Sequence, residues 1–373
     1  MPQSTDRTPT ATGVPVDADL PGHVERELAS YLAGRRRQAE EIDGDFTAAV
    51  DALSDFVLGG GKRIRPTFAW WGWRGAGGAP DGRQAPAVLR AVSALELLQA
   101  CALVHDDLMD DSARRRGAPT IHVAFAQRHR SAGLRGAPER FGLAAAVLLG
   151  DLALAWADDM LVDAGLESAA LRRAKDPWQA MRTEVLGGQY LDVLTQARGD
   201  ESTEAALRVP RLKTAAYTVE RPLHLGAALA GAPPELVAAF RRFGADLGIA
   251  FQLRDDLLGV FGDPDVTGKP AGDDLREGKR TLLVALGLER AEAAGRAAAA
   301  TLLRESVGDP ELTGERVAEV RELLVELGAV DAVERRIATL TESAQATLAA
   351  APVAAPAAQR LGELAIAATR RER

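Results

Sequence analysis

The chain has 373 residues, 47% of them apolar, enough for one large domain or two ordinary ones around a sizeable core. Its net charge of −8 argues against a general nucleic-acid or anionic-membrane binder, though not against a local basic pocket. The single cysteine, Cys101, excludes an intrachain disulfide and fits a reducing compartment.

Residues 1–22 are rich in Thr, Pro and Asp and lack an apolar signal core. They read as a disordered tail before one domain spanning 23–373. No uninterrupted run of about 18 apolar residues occurs, which predicts no transmembrane segment and a cytoplasmic protein. Residues 24–58 follow a helical pattern. Gly59-Gly60-Gly61-Lys62-Arg63-Ile64-Arg65-Pro66 then breaks it. Lys62 and Arg65 after a loop without Cβ atoms suit a phosphate group, although a plain turn with exposed bases reads equally well. The GxxxxGK[ST] spacing of a Walker loop is absent.

Residues 91–122 organise the chain. Val92, Leu95, Leu98, Ala102 and Val104 fit a helix that is apolar on most sides, hence buried. It ends in four carboxylates. Asp106 and Asp110 stand at i and i+4 on one face, and Asp107 and Asp111 repeat the spacing. Like charges so placed repel unless a cation sits between them. Arg114, Arg115 and Arg116 follow at once. Carboxylates one turn apart with guanidiniums beyond suit a magnesium-bridged diphosphate, since magnesium takes oxygen ligands and arginine forks pair with phosphate. The alternative is a solvated acidic helix end before a basic loop. Cys101 is read as a small apolar filler.

Residues 129–140 look like an exposed excursion. Residues 141–164 form an apolar helix in which Asp151 is expected to be buried and Asp158-Asp159 to face solvent. The segments 175–197 and 209–231 carry Gln189, Asp192, Lys213, Thr214, Thr218 and Glu220 inside apolar helices, where polar groups must find partners or serve a site. In 240–283 a second greasy helix ends in Asp255-Asp256, with Gln252 one turn earlier. A Gly/Pro/Asp loop follows, carrying Lys269, with Lys279 beyond Asp273 and Asp274. The remainder is helical, with an Ala/Pro-rich turn over 348–358. Strand signals and a solenoid period are lacking, so the fold is all-α.

In this order the motifs GGGKRIRP, DDLMD, RRGAPT, GGQYLD, KT, FQLRDD and GKPAGDDLREGKRT resemble those of the trans-isoprenyl diphosphate synthase (polyprenyl synthetase) family. The resemblance implies a large antiparallel helical bundle around a central cavity, usually a homodimer, that condenses isopentenyl diphosphate head to tail with an allylic diphosphate. It implies magnesium, three ions per site, held by Asp106 and Asp110 of the first motif and Asp255 of the second, with Asp107 and Asp256 in the same acidic sets. By position, Lys62, Arg65, Gln99 and Arg116 resemble the isopentenyl diphosphate pocket. Arg115, Lys213, Gln252, Lys269 and Lys279 resemble the holders of the allylic diphosphate, and Thr214 and Gln252 the groups beside the developing cation. The second motif departs from the family's DDxxD: Gly259 stands where its last aspartate would be, with Asp263 or Asp273 as possible substitutes. Ala102 lies about 6 Å below Asp106 on nearly the same face. Small residues at Cys101 and Ala102, with Leu98 and Leu95 deeper, predict a product beyond the fifteen-carbon stage, geranylgeranyl diphosphate. The rival readings are a terpene cyclase or a transferase with another acceptor, and a non-catalytic regulatory subunit.

Overall fold

Helix formation follows the apolar period almost everywhere in the computed structural model, which describes residues 14–262 and 272–369. Helices α1 (Leu20–Glu40) and α2 (Gly44–Leu58) start where Asp19 and Asp43 accept hydrogen bonds from the first turn's amides. After the glycine loop come α3 (Ile64–Gly75) and the organising helix α4 (Ala85–Met109), then α5 (Ile121–Ser131), α6 (Pro138–Val162), α7 (Ser168–Arg198) and α8 (Thr203–Pro210). A ten-residue π-helix (Arg211–Glu220) leads into α9 (Arg221–Ala230) and α10 (Pro234–Phe261). Beyond the second acidic motif lie the single turn α11 (Asp273–Arg276), α12 (Leu282–Ala293), α13 (Ala297–Ser306), α14 (Gly314–Glu326), α15 (Ala329–Ala350) and α16 (Ala355–Thr369).

The all-α expectation holds with one addition, a hairpin of two-residue strands, β1 (Arg114–Arg115) and β2 (Ala118–Pro119). Period-2 alternation cannot reveal strands this short. Helix α4 lies against α1, α3 and α6, and from Val88 to Cys101 nearly all its side chains are buried. The main core gathers around it, and a second apolar core joins the last turns of α10 to α12–α15.

The packing corrects two expectations. The tail is fixed from Val14 onward: Asp17 accepts hydrogen bonds from Trp70 Nε1 (2.8 Å) and Arg74, and Leu20 already begins α1. The pair on α6 is reversed. Asp151 is exposed, with its carboxylate 3.8 Å from His105 Nε2, whereas Asp158 is half-buried and accepts from Trp178 Nε1 at 2.6 Å. Helices α4 and α6 are long and apolar enough to cross a membrane by length and composition alone, a test that a core helix also passes; 72% of the apolar window of α4 and 39% of that of α6 are buried within the fold. Residues 129–140 are largely exposed as expected, except that His129 is buried, its ring 5.3 Å from that of Phe141 and tilted 47° to it.

Two features fix the frame around the site. Arg254, next to the second acidic pair, is buried, and its fork holds Glu334 of α15 at 2.8 and 2.7 Å while its Nε donates to the Thr369 carbonyl of α16. On the opposite side α9 touches α3 at Gly226, where a Cβ would stand 1.9 Å from the Ala69 carbonyl oxygen. A Gly226→Ala variant should therefore force the helices apart and lose about 1–3 kcal/mol of unfolding free energy, read as a lower urea midpoint with an unchanged m-value.

Candidate active site

The C-terminal end of α4 is built as an acidic tip. Its last turn closes with Asp111 at φ 51, and the Ser112 amide reaches back to the Asp107 carbonyl. This six-to-one closure usually takes glycine at the left-handed position, and Asp tolerates it. The cap splits the four aspartates. Asp107 is 1% exposed, and Arg115 binds its Oδ1 through Nε and Nη2, both at 2.7 Å. Asp106 stays half-buried and Asp110 exposed. Lys213 Nζ bridges Asp106 and Asp192, each at 2.9 Å. Desolvation, then the neighbouring Asp106 charge, raises the Asp110 carboxyl to about 6.

The hairpin after α4 distributes the arginines. Its two-residue turn has Arg116 at φ 51 and Gly117 at φ 78, the doubly left-handed turn that matches strand twist. Arg115 is thereby turned toward Asp107, and Arg116 toward the glycine loop, where it donates to the Gly60 carbonyl. Gly60 and Gly61, at φ 104 and 131, adopt backbone that side-chain-bearing residues avoid, and a Cβ on Gly61 would sit 3.2 Å from Arg116 Nη2. Lys62, Arg65 and Arg116 thus surround one loop. Arg65 stacks on the Tyr217 ring at 4.2 Å and donates to Thr218 Oγ1 at 2.8 Å, leaving its buried Nε without a partner. The buried Gln99 Oε1 likewise lacks one. Lys62, Thr218 and Phe251 line a mostly apolar cavity of about 260 Å³ that α16 walls through Leu364 and Ala368. Arg63, in the same motif, has a different task. It is 3% exposed and binds Glu96 of α4 at 2.8 Å and the Val57 carbonyl at 3.0 Å, which locks the loop to the core.

Lys213 reaches Asp106, with half-buried Thr214 beside it, because the π-helix is packed closely between α7 and α10. A Cβ on Gly188 of α7 would meet the Lys213 amide at 2.7 Å, and one on Gly248 of α10 would meet Ala215 Cα at 2.5 Å. Pro222, lacking an amide proton, cannot continue the ordinary helical ladder, and the Arg221 amide bonds five residues back to Ala216 instead.

In the second acidic motif, at the end of α10, Asp255 is half-buried and Asp256 is 5% exposed. Gln252 donates to Asp256 Oδ1 at 2.7 Å, and Asp256 Oδ2 has no hydrogen-bond partner. Burial is the chief cause that pushes the Asp256 carboxyl up to about 7. Lys279 pairs with Asp274 (2.8 Å) and Glu277 (2.6 Å), and its positive charge acts on both Asp110 and Asp256. The two acidic motifs therefore share one electrostatic field around Lys279. Lys269 and Asp263 lie outside the described residues.

Among the described residues no three carboxylate, imidazole or thiol side chains stand close enough to hold an ion by themselves. The donors are all oxygen, come from two helices, and include orphaned buried oxygens on Asp107 and Asp256. Such a set fits magnesium that takes its remaining ligands from a phosphate and water. Asp192 carries a sequence signal as a polar group inside an apolar helix, whereas Glu96, Arg63 and Tyr217 are not singled out by the sequence as site residues. The rule that polar groups inside apolar helices need partners was their one available signal.

A family model described as Polyprenyl synthetase matches residues 47–323. A geranylfarnesyl diphosphate synthase of Aeropyrum pernix is 34% identical over 299 residues, covering 79% of this chain and 85% of that protein. A (2E,6E)-farnesyl diphosphate synthase of Mycobacterium tuberculosis is 36% identical over 266 residues, 71% of this chain and 67% of that one. In structure the chain is similar to a geranylgeranyl pyrophosphate synthase of Corynebacterium glutamicum complexed with isoprenyl diphosphate and magnesium. The TM-score is 0.91 at 48% identity, covering 96% of this chain and 100% of that one.

The raised Asp256 carboxyl gives a pH signature. In the metal-free protein the folded state holds a proton that the unfolded chain has released, so this group's contribution to stability falls as pH rises from 3.8 to about 7. His224, which burial lowers to about 4, has the opposite slope below 6.5. The test is therefore a difference. Relative to wild type, Asp256→Asn should gain thermal stability steadily between pH 4 and 7, and equal slopes would contradict the buried acid.

Proposed function

Because the chain belongs to the polyprenyl synthetase family, we propose that its acid-lined cavity transfers an allylic prenyl group to isopentenyl diphosphate, joining the two head to tail. The observation that carries this reading is the presence of two separate basic sets. Arg115, Lys213 and Lys279 stand among the carboxylates, whereas Lys62, Arg65 and Arg116 surround the glycine loop. Two diphosphates need two such sets. A terpene cyclase would have one diphosphate to hold and no use for the second.

Asp106, Asp110 and Asp255 are the direct magnesium ligands in this reading, with three ions per site. Asp107 and Asp256, being buried, contribute charge and fix Arg115 and Gln252. Magnesium, when bound, supplies Lewis-acid stabilisation of the departing diphosphate. The allylic C–O bond breaks with its electron pair going to the diphosphate. Arg115, Lys213 and Lys279, already fixed in place, balance the developing negative charge without reorganising. Thr214 and Gln252 place oxygen dipoles near the allylic cation. The isopentenyl double bond attacks that cation, and the new cation loses a proton to the released diphosphate. Lys62, Arg65, Gln99 and Arg116 hold the isopentenyl diphosphate, whose phosphates would answer the orphaned Arg65 Nε.

The growing tail runs along α4, past Cys101 and Ala102, with Leu98 and Leu95 as its floor. We assign geranylgeranyl diphosphate as the product, because neither position carries the bulk that would stop growth at fifteen carbons. The protein acts as a homodimer through the outer face of α6, where Leu143, Val147 and Leu148 are exposed, and through Leu186 and Tyr190 of α7. An apolar strip of this kind on a soluble chain marks an interface. Sedimentation of Val147→Asp should show monomers where wild type shows dimers.

Asp106→Ala and Asp255→Ala should each lower kcat by at least about 100-fold with the helical circular dichroism intact. Turnover retained in both would remove the metal assignment. Ala102→Phe should shift the product, separated by chromatography, toward farnesyl diphosphate. An unchanged product would place the floor elsewhere.

A further inference from the structure

The second acidic motif lacks its last carboxylate at the sequence level, yet the space is not vacant. A Cβ built on Gly259 would lie 1.9 Å from Asp274 Oδ2 and 2.4 Å from its Cγ. The Asp274 carboxylate therefore occupies the volume into which a side chain at position 259 would project, one turn beyond Asp255 on the same face of α10. Asp274 is 8% exposed, and its two oxygens are divided: Oδ1 accepts from Lys279 Nζ at 2.8 Å, and Oδ2 is turned toward α10. Its placement is fixed by the turn that follows Gly272 (φ 73) and by the Lys279 amide, which bonds back to the Asp274 carbonyl at 3.0 Å. On α10, Asp256, close enough to Asp274 for their charges to interact, has a buried Oδ2 with no hydrogen-bond partner, an acceptor that a bound cation or its water would satisfy.

We propose that Asp274 supplies the third carboxylate of the second metal-binding set, and that Gly259 is the residue that admits it. The acid has moved from the helix to the turn facing it. Any side chain at 259 would push Asp274 out, so the glycine and the aspartate form one unit. Asp273, its half-buried neighbour at the head of α11, is not the residue against Gly259. This inference rests on the magnesium-dependent prenyl-transfer reading given above.

The test is calorimetric binding of inorganic diphosphate to the full chain across a magnesium series, alongside turnover. Asp274→Asn should raise the magnesium concentration at half-saturation by about 10- to 100-fold, as loss of a metal-site carboxylate does. Gly259→Asp alone should do the same by displacing Asp274. The double variant Gly259→Asp/Asp274→Gly, which returns the acid to the helix, should bring the magnesium requirement back toward wild type. Two results would overturn the proposal. One is an Asp274→Asn variant with wild-type magnesium dependence. The other is a loss of diphosphate affinity that is equal at all magnesium concentrations and not relieved in the double variant, which would leave Asp274 as a mere partner of Lys279. Asp106→Asn is the control for the underlying reading: if it too binds magnesium diphosphate normally, the prenyl-transfer site itself is wrong.

Discussion

The structure depends on negative charge gathered where a helix is least able to hold it. The C-terminal end of α4 carries the negative pole of the backbone dipole and exposes its last carbonyls. Asp106, Asp107, Asp110 and Asp111 are added there, within a molecule whose net charge is already negative. Carboxylates at that pole are unfavourable by about 0.3–1 kcal/mol each at an exposed site, and more where desolvated. The protein answers with Lys213 and Arg115, each tied to this cluster at 2.7–2.9 Å. Burial first, and the Asp106 charge second, still raise the Asp110 carboxyl within the cluster. The residual imbalance is a standing affinity for cations and, through them, for phosphate.

Holding such a cluster in place requires a rigid support, and the burial of α4 provides it. One helix is both the centre of the main core and the carrier of the first acidic motif. Its partners fix what surrounds it. The Arg63–Glu96 pair locks the glycine loop to the middle of α4, and the hairpin sends adjacent arginines to different places. Gly188 and Gly248 bring the π-helix close enough for Lys213 to reach Asp106. Each is a small local choice of residue that sets a distance across the cavity.

What could be read in the sequence was what is local. Period-3.6 patterning gave α4 and α10, because their apolar residues recur without long-range help, and the i, i+4 aspartates declared a shared face before any fold was known. Motif order supplied the relation between the two acidic ends. The failures share a cause, which is dependence on a distant partner. Asp17 is ordered by Trp70, Asp158 by Trp178, and Asp192 by Lys213, and none of these pairs follows from spacing. Asp151 lies at the exposed rim of the α4–α6 contact, beside His105, a placement that spacing along α6 does not reveal. The two-residue strands were too short for alternation to register. At Gly259 the sequence offers Asp263 or Asp273 for the missing carboxylate, and only the fold brings Asp274 against that glycine.

The Arg254 fork links the chemistry to the end of the chain. Its backbone immediately precedes Asp255, and its side chain grips Glu334 and the carbonyl of Thr369. The helix so gripped also walls the cavity beside Lys62 and Thr218. One guanidinium thus serves as a linchpin between the second acidic motif and the wall of the cavity beside Lys62. A fusion partner or tag attached behind Thr369 would pull on both at once, so handles for immobilising this enzyme belong at the other terminus.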